Sequence, residues 1–472
     1  MILPAVAVSN RINMQILEER FRIPPISQHS GLLSYFSQFL AASLPPETHP
    51  VRLVISETDG DGYTAEVGVL SNCADALLES TESSIFALRR RAVEHEQEFN
   101  AVLLIPTGIG AEIGGHAGDA TPIARLLAGN CDNLVLHPNV VNASDINEMP
   151  RNSLYVEGSV ISRLLMGIVG LKKVRSNRIL LLIDANENEE FVDGAINSAN
   201  AARATCGYRI EKVVKLDPAI RMVAKYSESG RATGEISGVE RVLQVINDCR
   251  GEIDAVAISS IIKVPANYHL DYFRCEGDML NPWGGVEALL THTLSTLTGI
   301  PTAHSPMFES EDVSNLMPGI VDARMAAEAV SFTFLQCILK GLNASPKVIS
   351  NAQPGRTPGI MTVEDISCLI IPDGCLGIPT LAALEQGIPV IAVRENKNIM
   401  KNDLEILPWR RGQFIRVNTY LEAAGVMTAL REGVAIDSLR RPVRGVTVEE
   451  RNPRMVPLEV EPRTSAAFPA KS

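Results

Sequence analysis

Five glycines fall within residues 108–118 of the chain, in the run Pro106-Thr107-Gly108-Ile109-Gly110-Ala111-Glu112-Ile113-Gly114-Gly115-His116-Ala117-Gly118-Asp119. Such a run admits backbone conformations closed to other residues and lets a ligand or a neighbouring chain come close. An apolar stretch, 101–105, precedes it and a helical pattern over 119–129 follows. Strand, glycine turn and helix in that order place backbone N–H groups at a helix N-terminus, where an anion is the natural guest. The run is neither of the familiar phosphate loops. It lacks G-x-x-x-x-G-K-[ST], and Ile113 stands where G-x-G-x-x-G would need its third glycine. A turn that needs glycine for packing alone is the competing reading.

The same order repeats downstream. Apolar runs rich in Val, Ile and Leu predict strands at 133–137, 178–183, 253–258, 347–350, 366–371 and 388–393. Helical spacing predicts helices over 158–171, 193–204, 284–297, 322–341 and 378–387. Short apolar runs between helices suit parallel strands covered on both faces. The expectation is an α/β fold with a mainly parallel sheet, arranged as one lobe or as two Rossmann-like lobes around a cleft. Ahead of this core (99–400), residues 1–98 read as a mixed preface. It holds strands at 51–56 and 63–70, a turn-rich link at 57–62, and a helix over 73–98. Residues 401–472 read as an extension, with a poorly ordered tail from about 440.

Charge narrows the partners. With 43 basic and 55 acidic side chains the net charge is −12, which argues against nucleic acid and anionic membrane surfaces. It leaves small anions open, since a local loop can be positive on an acidic protein. The eight cysteines lie far apart and form no C-x-x-C pair, so free thiols in a reducing compartment are expected. No apolar run reaches the roughly 20 residues that span a bilayer, and the N-terminus lacks the basic start of a signal peptide. A cytoplasmic protein, compatible with a homo-oligomer, follows. No H-E-x-x-H, zinc spacing or G-x-S-x-G elbow occurs, so no metal is expected and the cofactor is unknown.

Four segments could carry chemistry. The first is the glycine run, with Thr107, Gly108, Gly110, Gly114, Gly115, Gly118 and Asp119 as ligand-binding candidates; Asp119 could equally cap the next helix. The second is His137-Pro138-Asn139-Val140-Val141-Asn142, beyond a strand end where α/β sheets take ligands; His137, Asn139 and Asn142 are its candidates. Glu157, at the next helix start, is an acid candidate or a solvated carboxylate. The third runs through Gly284, Gly285, Glu287, His292 and His304. A histidine with a nearby acid can serve as general base, so His304 with Glu287 is the favoured pair. His292 is set lower, because five residues separate it from Glu287 and put it on another helix face. The fourth is Asp373-Gly374-Cys375-Leu376-Gly377, with Asp373, Gly374 and Gly377 as binding candidates and Cys375 as a packing residue.

The runs IPTGIGAEIGGHAGDATPIARLL, LHPNVVNA, SLYVEGSVISRL, NPWGGVEALLTH, GIPTAHSP and DARMAAEAVSFTFLQCILKGL, in this order over about 99–400, resemble the family DUF3326, a domain of unknown function met mainly in photosynthetic bacteria and plants. The resemblance implies that the four segments belong to one module and carries over no catalytic assignment. The reading that joins these observations is an enzyme acting on a small anionic or phosphorylated metabolite. A non-catalytic ligand-binding or regulatory protein is the alternative, and a subunit whose surface serves assembly is a third.

Overall fold

The computed structural model describes residues 13–26, 31–73, 84–265, 267–275, 279–350, 352, 359–443 and 445–450. Six short apolar runs pair in parallel, in the order Phe414–Val417, Val390–Val393, Ile366–Pro372, Asn100–Leu103, Asn133–Leu136 and Ser153–Tyr155. Every residue of Asn100–Leu103 and Asn133–Leu136 is buried, as parallel strands with both faces covered require. The helices Thr121–Ala128, Gly158–Leu165, Ile378–Gln386 and Tyr420–Arg431 belong to this half of the molecule.

The largest sheet corrects the expected architecture. Its ten strands run Leu376–Gly377, Thr48–Asp59, Gly62–Ser71, Gln15–Ile23, Ala232–Ser237, Arg221–Tyr226, Ala255–Lys263, Arg178–Asp184 and Arg209–Leu216, with Thr302–Met307 also beside Ala255–Lys263. From Leu376–Gly377 to Arg221–Tyr226 every pairing is antiparallel, and the remaining pairings are parallel. A three-stranded sheet of Lys347–Ser350, Val169–Lys172 and Ile360–Met361 is antiparallel as well. Only the six-stranded sheet is wholly parallel, so a mainly parallel fold with two Rossmann-like lobes is not what forms. The cause lies in Gln15–Ile23, Arg221–Tyr226 and Ala232–Ser237, which are half-polar strands (QILEERFRI, RMVAKY, ATGEIS) without a continuous apolar run.

Three helical expectations also change. Of 158–171 only Gly158–Leu165 is helical, and Val169–Lys172 is a strand. Of 73–98, residues 74–83 lie outside the described residues, and 84–98 form turns and extended chain. Arg91 explains the extended course. Its Nε and Nη2 donate to the carbonyls of Gln386 and Gly387 at the end of helix Ile378–Gln386, and Nη1 donates to Ile366 O. The segment thus satisfies carbonyls that a helix end leaves open. Within 322–341 only Ala326–Ala329 and Leu335–Asn343 are helical. Past residue 400 the chain still forms the strand Phe414–Val417 and helix Tyr420–Arg431, while 445–450 is exposed coil and 451–472 lies outside the described residues.

The N-terminal strands are joined to the rest by a buried charge cluster. The Arg231 guanidinium, with no exposed side-chain surface, donates from Nε to Glu66 Oε2 at 2.8 Å and from Nη2 to Glu18 Oε2. Glu18 and Glu66 lie on adjacent paired strands. Removing one member of such a cluster leaves buried charge uncompensated, at a cost of about 3–5 kcal/mol. Arg231→Met is therefore expected to lower unfolding stability by about that amount in urea titration, and adding Glu18→Gln and Glu66→Gln is expected to recover much of it.

Candidate functional site

The N-terminal strand Thr48–Asp59 reaches the six-stranded half through its pairing with Leu376–Gly377. A cleft enclosing about 1110 Å³, counting the part open to solvent, lies where these parts meet. Pro106, Thr107 and Ile109 from the start of the glycine run line it, as do His137, Gly158 and Ser159, and Cys375 through Thr380. Segments named separately in the sequence thus share one cavity. The helices Gly158–Leu165 and Ile378–Gln386 both begin at its wall.

Its electrostatics run against those of the chain as a whole. No Asp, Glu or Lys is among the described lining residues, and the formal charges there are Arg52 and Arg163. Arg52 is 9% exposed, and its buried Nη1 has no hydrogen-bond partner among the described residues. Burial, followed by repulsion from Arg231, pushes its pKa down to about 10; Glu18, Glu66 and Glu157 act in the opposite sense. The group is still a cation at neutral pH, held in the cleft wall with one donor unspent. Thr296 Oγ1, on helix Gly284–Thr298, is a second buried and unpartnered polar atom in the lining.

Glu157 and His292 supply the titratable pair. Glu157 is the N-cap of helix Gly158–Leu165, and its Oε2 accepts from Ser159 N at 2.8 Å and from the Ser159 hydroxyl. Its Oε1 lies 2.6 Å from His292 Nδ1, off the line of an ideal hydrogen bond, and accepts from Thr291 Oγ1 at 3.4 Å. Burial alone would raise the Glu157 carboxyl, but the His292 ring and the Ser159 donors outweigh it and hold the group below the ordinary range. The carboxylate is thus ionised behind the imidazole, and His292 Nε2 is the nitrogen turned away from it. Only glycine at 158 permits this packing, because a Cβ there would stand 2.7 Å from His292 Cε1. His137 is a different kind of group. Ile105 N donates to its Nε2 at 3.1 Å, and burial with repulsion from His292 pushes its pKa down to about 4, so it is a neutral acceptor.

The glycine run largely binds its own chain. Asp119 accepts from Gly114 N at 2.8 Å, Glu328 accepts from Ala117 N at 2.5 Å, and Asn396 Oδ1 accepts from Ile113 N at 2.9 Å. Gly118 has φ +76°, and a Cβ there would lie 2.0 Å from Ala143 Cβ. Gly108, Gly110 and Gly114 also have positive φ, and Gly115 lies tight against Ala111 O. Around the run, Asn281 Nδ2 donates to Glu328 Oε1 at 3.3 Å, and the Tyr272 hydroxyl lies 2.8 Å from His116 Nδ1. Burial pushes Asp119 and Glu328 each up to about 7; Glu328 adds to the rise at Asp119, and Glu287 adds to it at Glu328. Sequence reasoning placed an acceptor from outside at these N–H groups and did not foresee Glu328.

His304 and Glu287 do meet, with Nδ1 2.8 Å from Oε1. Since a carboxylate only accepts, Nδ1 is the donor, and Nε2 is left to accept from Ser260 Oγ at 2.8 Å. The order Ser-His-Glu is that of a hydrolytic triad, yet the accessibility is reversed: Ser260 is 0% exposed and the Glu287 side chain 26%. No substrate reaches such a hydroxyl, and none of the three residues lines the cleft. Asn139 donates to Gly114 O and Ile105 O, and Asn142 Oδ1 accepts from the Tyr155 hydroxyl. Gly284 and Gly285 open helix Gly284–Thr298 against Thr107 and Ala232. Asp373 lies 2.9 Å from Arg416 Nε, Gly374 has φ +86°, and Gly377 lines the cleft. Arg52 and Thr296 were not singled out from sequence at all. Among the described residues no group of three or more His, Cys, Asp or Glu side chains is placed to hold a metal ion.

Comparison with known proteins yields a family and one relative. The profile of a family described as protein of unknown function (DUF3326) matches residues 100–440. An uncharacterised lipoprotein of Synechococcus sp. is 31% identical over 342 residues, which cover 72% of this chain and 92% of the relative. No solved structure matches significantly. The relative's name lends no support to a cytoplasmic setting, although no helix among the described residues is long and apolar enough to cross a membrane.

The raised carboxyl at Glu328 sets a pH dependence with a definite sign. Between its unfolded value, about 4.3, and its folded value of about 7, the folded chain keeps a proton that the unfolded chain has lost. Its contribution to stability therefore falls across that window and levels off above it. Glu328→Gln, which mimics the protonated acid, is expected to match the wild type near pH 4 and to melt higher than it at pH 8. Thermal unfolding at the two pH values checks this.

Proposed function

The chain belongs to the DUF3326 family, and from that premise, which brings no activity with it, we propose that it is an enzyme that binds a small anion in the cleft and moves a proton with His292. One observation carries the reading. An imidazole in the cleft wall is backed at 2.6 Å by a buried, ionised carboxylate, in the same cleft as a buried arginine with an unspent donor. The parts have distinct roles. Arg52, with Thr296 in the same lining, binds the anion. Glu157 holds the ring so that Nε2 faces the cavity, and stabilises the imidazolium when the ring takes a proton. A base so oriented contributes about 10²- to 10⁴-fold to a proton transfer. His137 is neutral at cell pH and lends polarity without charge.

This places the chemistry on a pair other than His304 and Glu287. Neither residue of that pair lines the cleft, and the second ring nitrogen of His304 is engaged by the buried Ser260. The glycine run then acts as scaffold: it brings Thr107 to the cleft and keeps the loop closed on Asp119 and Glu328. A non-catalytic binder would use Arg52 in the same way and would have no need of the Glu157–His292 pair.

Incubating the protein with a small-molecule extract of its host, and following anionic metabolites by mass spectrometry, separates the two. The wild type is expected to deplete one anion and build up a product. His292→Asn is expected to slow that conversion by about 10²-fold or more while still being stabilised by the extract. An extract that stabilises the wild type but is left chemically unchanged would assign the cleft to binding alone.

A further inference from the structure

The walls of the cleft say what the body of its ligand is made of. A sugar phosphate or another polar metabolite needs polar partners along its length, since each buried group left unpaired is penalised. Here the lining is dominated by apolar side chains, among them Ile85, Leu104, Ile109, Met166, Ile168 and Met400. Residues 84–91 are strapped in place by Arg89 N donating to Met166 O and by the Arg91 guanidinium. The two unbranched methionines give that wall a surface able to fit chains of varied shape. Against this stand one buried cation, Arg52, with an unspent donor, a second, half-buried arginine, Arg163, and several hydroxyls, of which that of Thr296 is buried and unpartnered. No carboxylate among the described lining residues would repel an anion.

We propose that the cleft takes an amphipathic anion: one acidic head group, carboxylate or phosphate, on an acyl or prenyl hydrocarbon chain. The inference rests on the reading of the cleft as an anion site and adds the class of molecule. The head lies on Arg52 and Thr296, and the chain lies along Ile85, Met166 and Ile168. Each buried methylene then strengthens binding by about three- to fourfold. That increment continues until the chain outgrows the cavity.

The test is a thermal-shift and calorimetric series on the full chain with acetate, hexanoate, decanoate, decyl phosphate, decanol and inorganic phosphate, repeated with Arg52→Met. Affinity is expected to climb steeply from acetate to decanoate, to fall by at least tenfold for decanol, and to fall likewise for decanoate in Arg52→Met. The ratio of decanoate to decyl phosphate names the head group. If acetate or inorganic phosphate binds as well as decanoate and Arg52→Met abolishes that binding, the anion site stands and the amphipathic class is overturned. If decanol equals decanoate and Arg52→Met is indifferent, the anion site itself fails. No binding anywhere in the series overturns the proposal. An Ile168→Asp variant keeps the test independent of Arg52: it is expected to weaken decanoate strongly and acetate little.

Discussion

The buried pairing of Arg231 with Glu18 and Glu66 is the constraint on which the rest of the molecule depends. Among the described residues, strand Gln15–Ile23 meets Ala232–Ser237 at two register positions, Gln15 with Ser237 and Ile16 with Ile236. Hydrogen bonding at that seam is thin, so the N-terminal strands need another attachment. Arg231, just before Ala232–Ser237, reaches Glu18 on the adjoining strand and Glu66 on the strand beyond it with one planar guanidinium, a geometry suited to two carboxylates at once. A fixed seam sets the place of Thr48–Asp59, and with it the place of Arg52. The two arginines repel each other and share the field of the same two glutamates. Arg52 is therefore a cation stabilised at a distance, with no hydrogen-bond partner at Nη1 among the described residues, and such a group gains most when an anion arrives.

The cleft joins two kinds of order. From the parallel half come strand ends and helix starts, which bring Thr107, His137, Gly158 and Gly377 to one cleft. From the antiparallel half comes a single cation. The parallel half brings Arg163, which is only half-buried, and no fully buried cation, while the N-terminal strands lack the Glu157–His292 pair. The position of Ser159 shows how closely folding and chemistry are coupled here. Its N–H caps the helix through Glu157, and that bond and the one from its hydroxyl add to the larger effect of the His292 ring in holding the Glu157 carboxyl below the ordinary range.

Much of this could be read in advance where the signal was local. The apolar runs at 101–105, 133–137 and 366–371 and the turns after them located the parallel sheet, and the ends of those strands led to Thr107, His137 and Gly377, while Glu157 was read from the start of a helix. Arg52 was hidden because VRLVIS looks like an ordinary strand with one outward charge, and the burial of that charge is set by strands far away in sequence. His292 illustrates a subtler limit. Its five-residue offset from Glu287 does put the two on different faces of helix Gly284–Thr298, as spacing suggests. Which face meets the cleft depends on partners, His304 for one and Glu157 for the other, that lie outside the helix. The antiparallel half was unreadable for a related reason, since strands such as RMVAKY are specified by their neighbours in the sheet more than by their own residues.

The measurement that tests the central claim most directly is a crystal structure of the protein with decanoate bound, at a resolution that places the carboxylate. The account requires a carboxylate oxygen within about 3 Å of Arg52 Nη1, the hydrocarbon chain along the methionine-bearing wall, and His292 between Glu157 and the ligand. A carboxylate turned to solvent, or an Arg52 side chain swung onto Glu18 or Glu66 with the cleft holding only water, would contradict it.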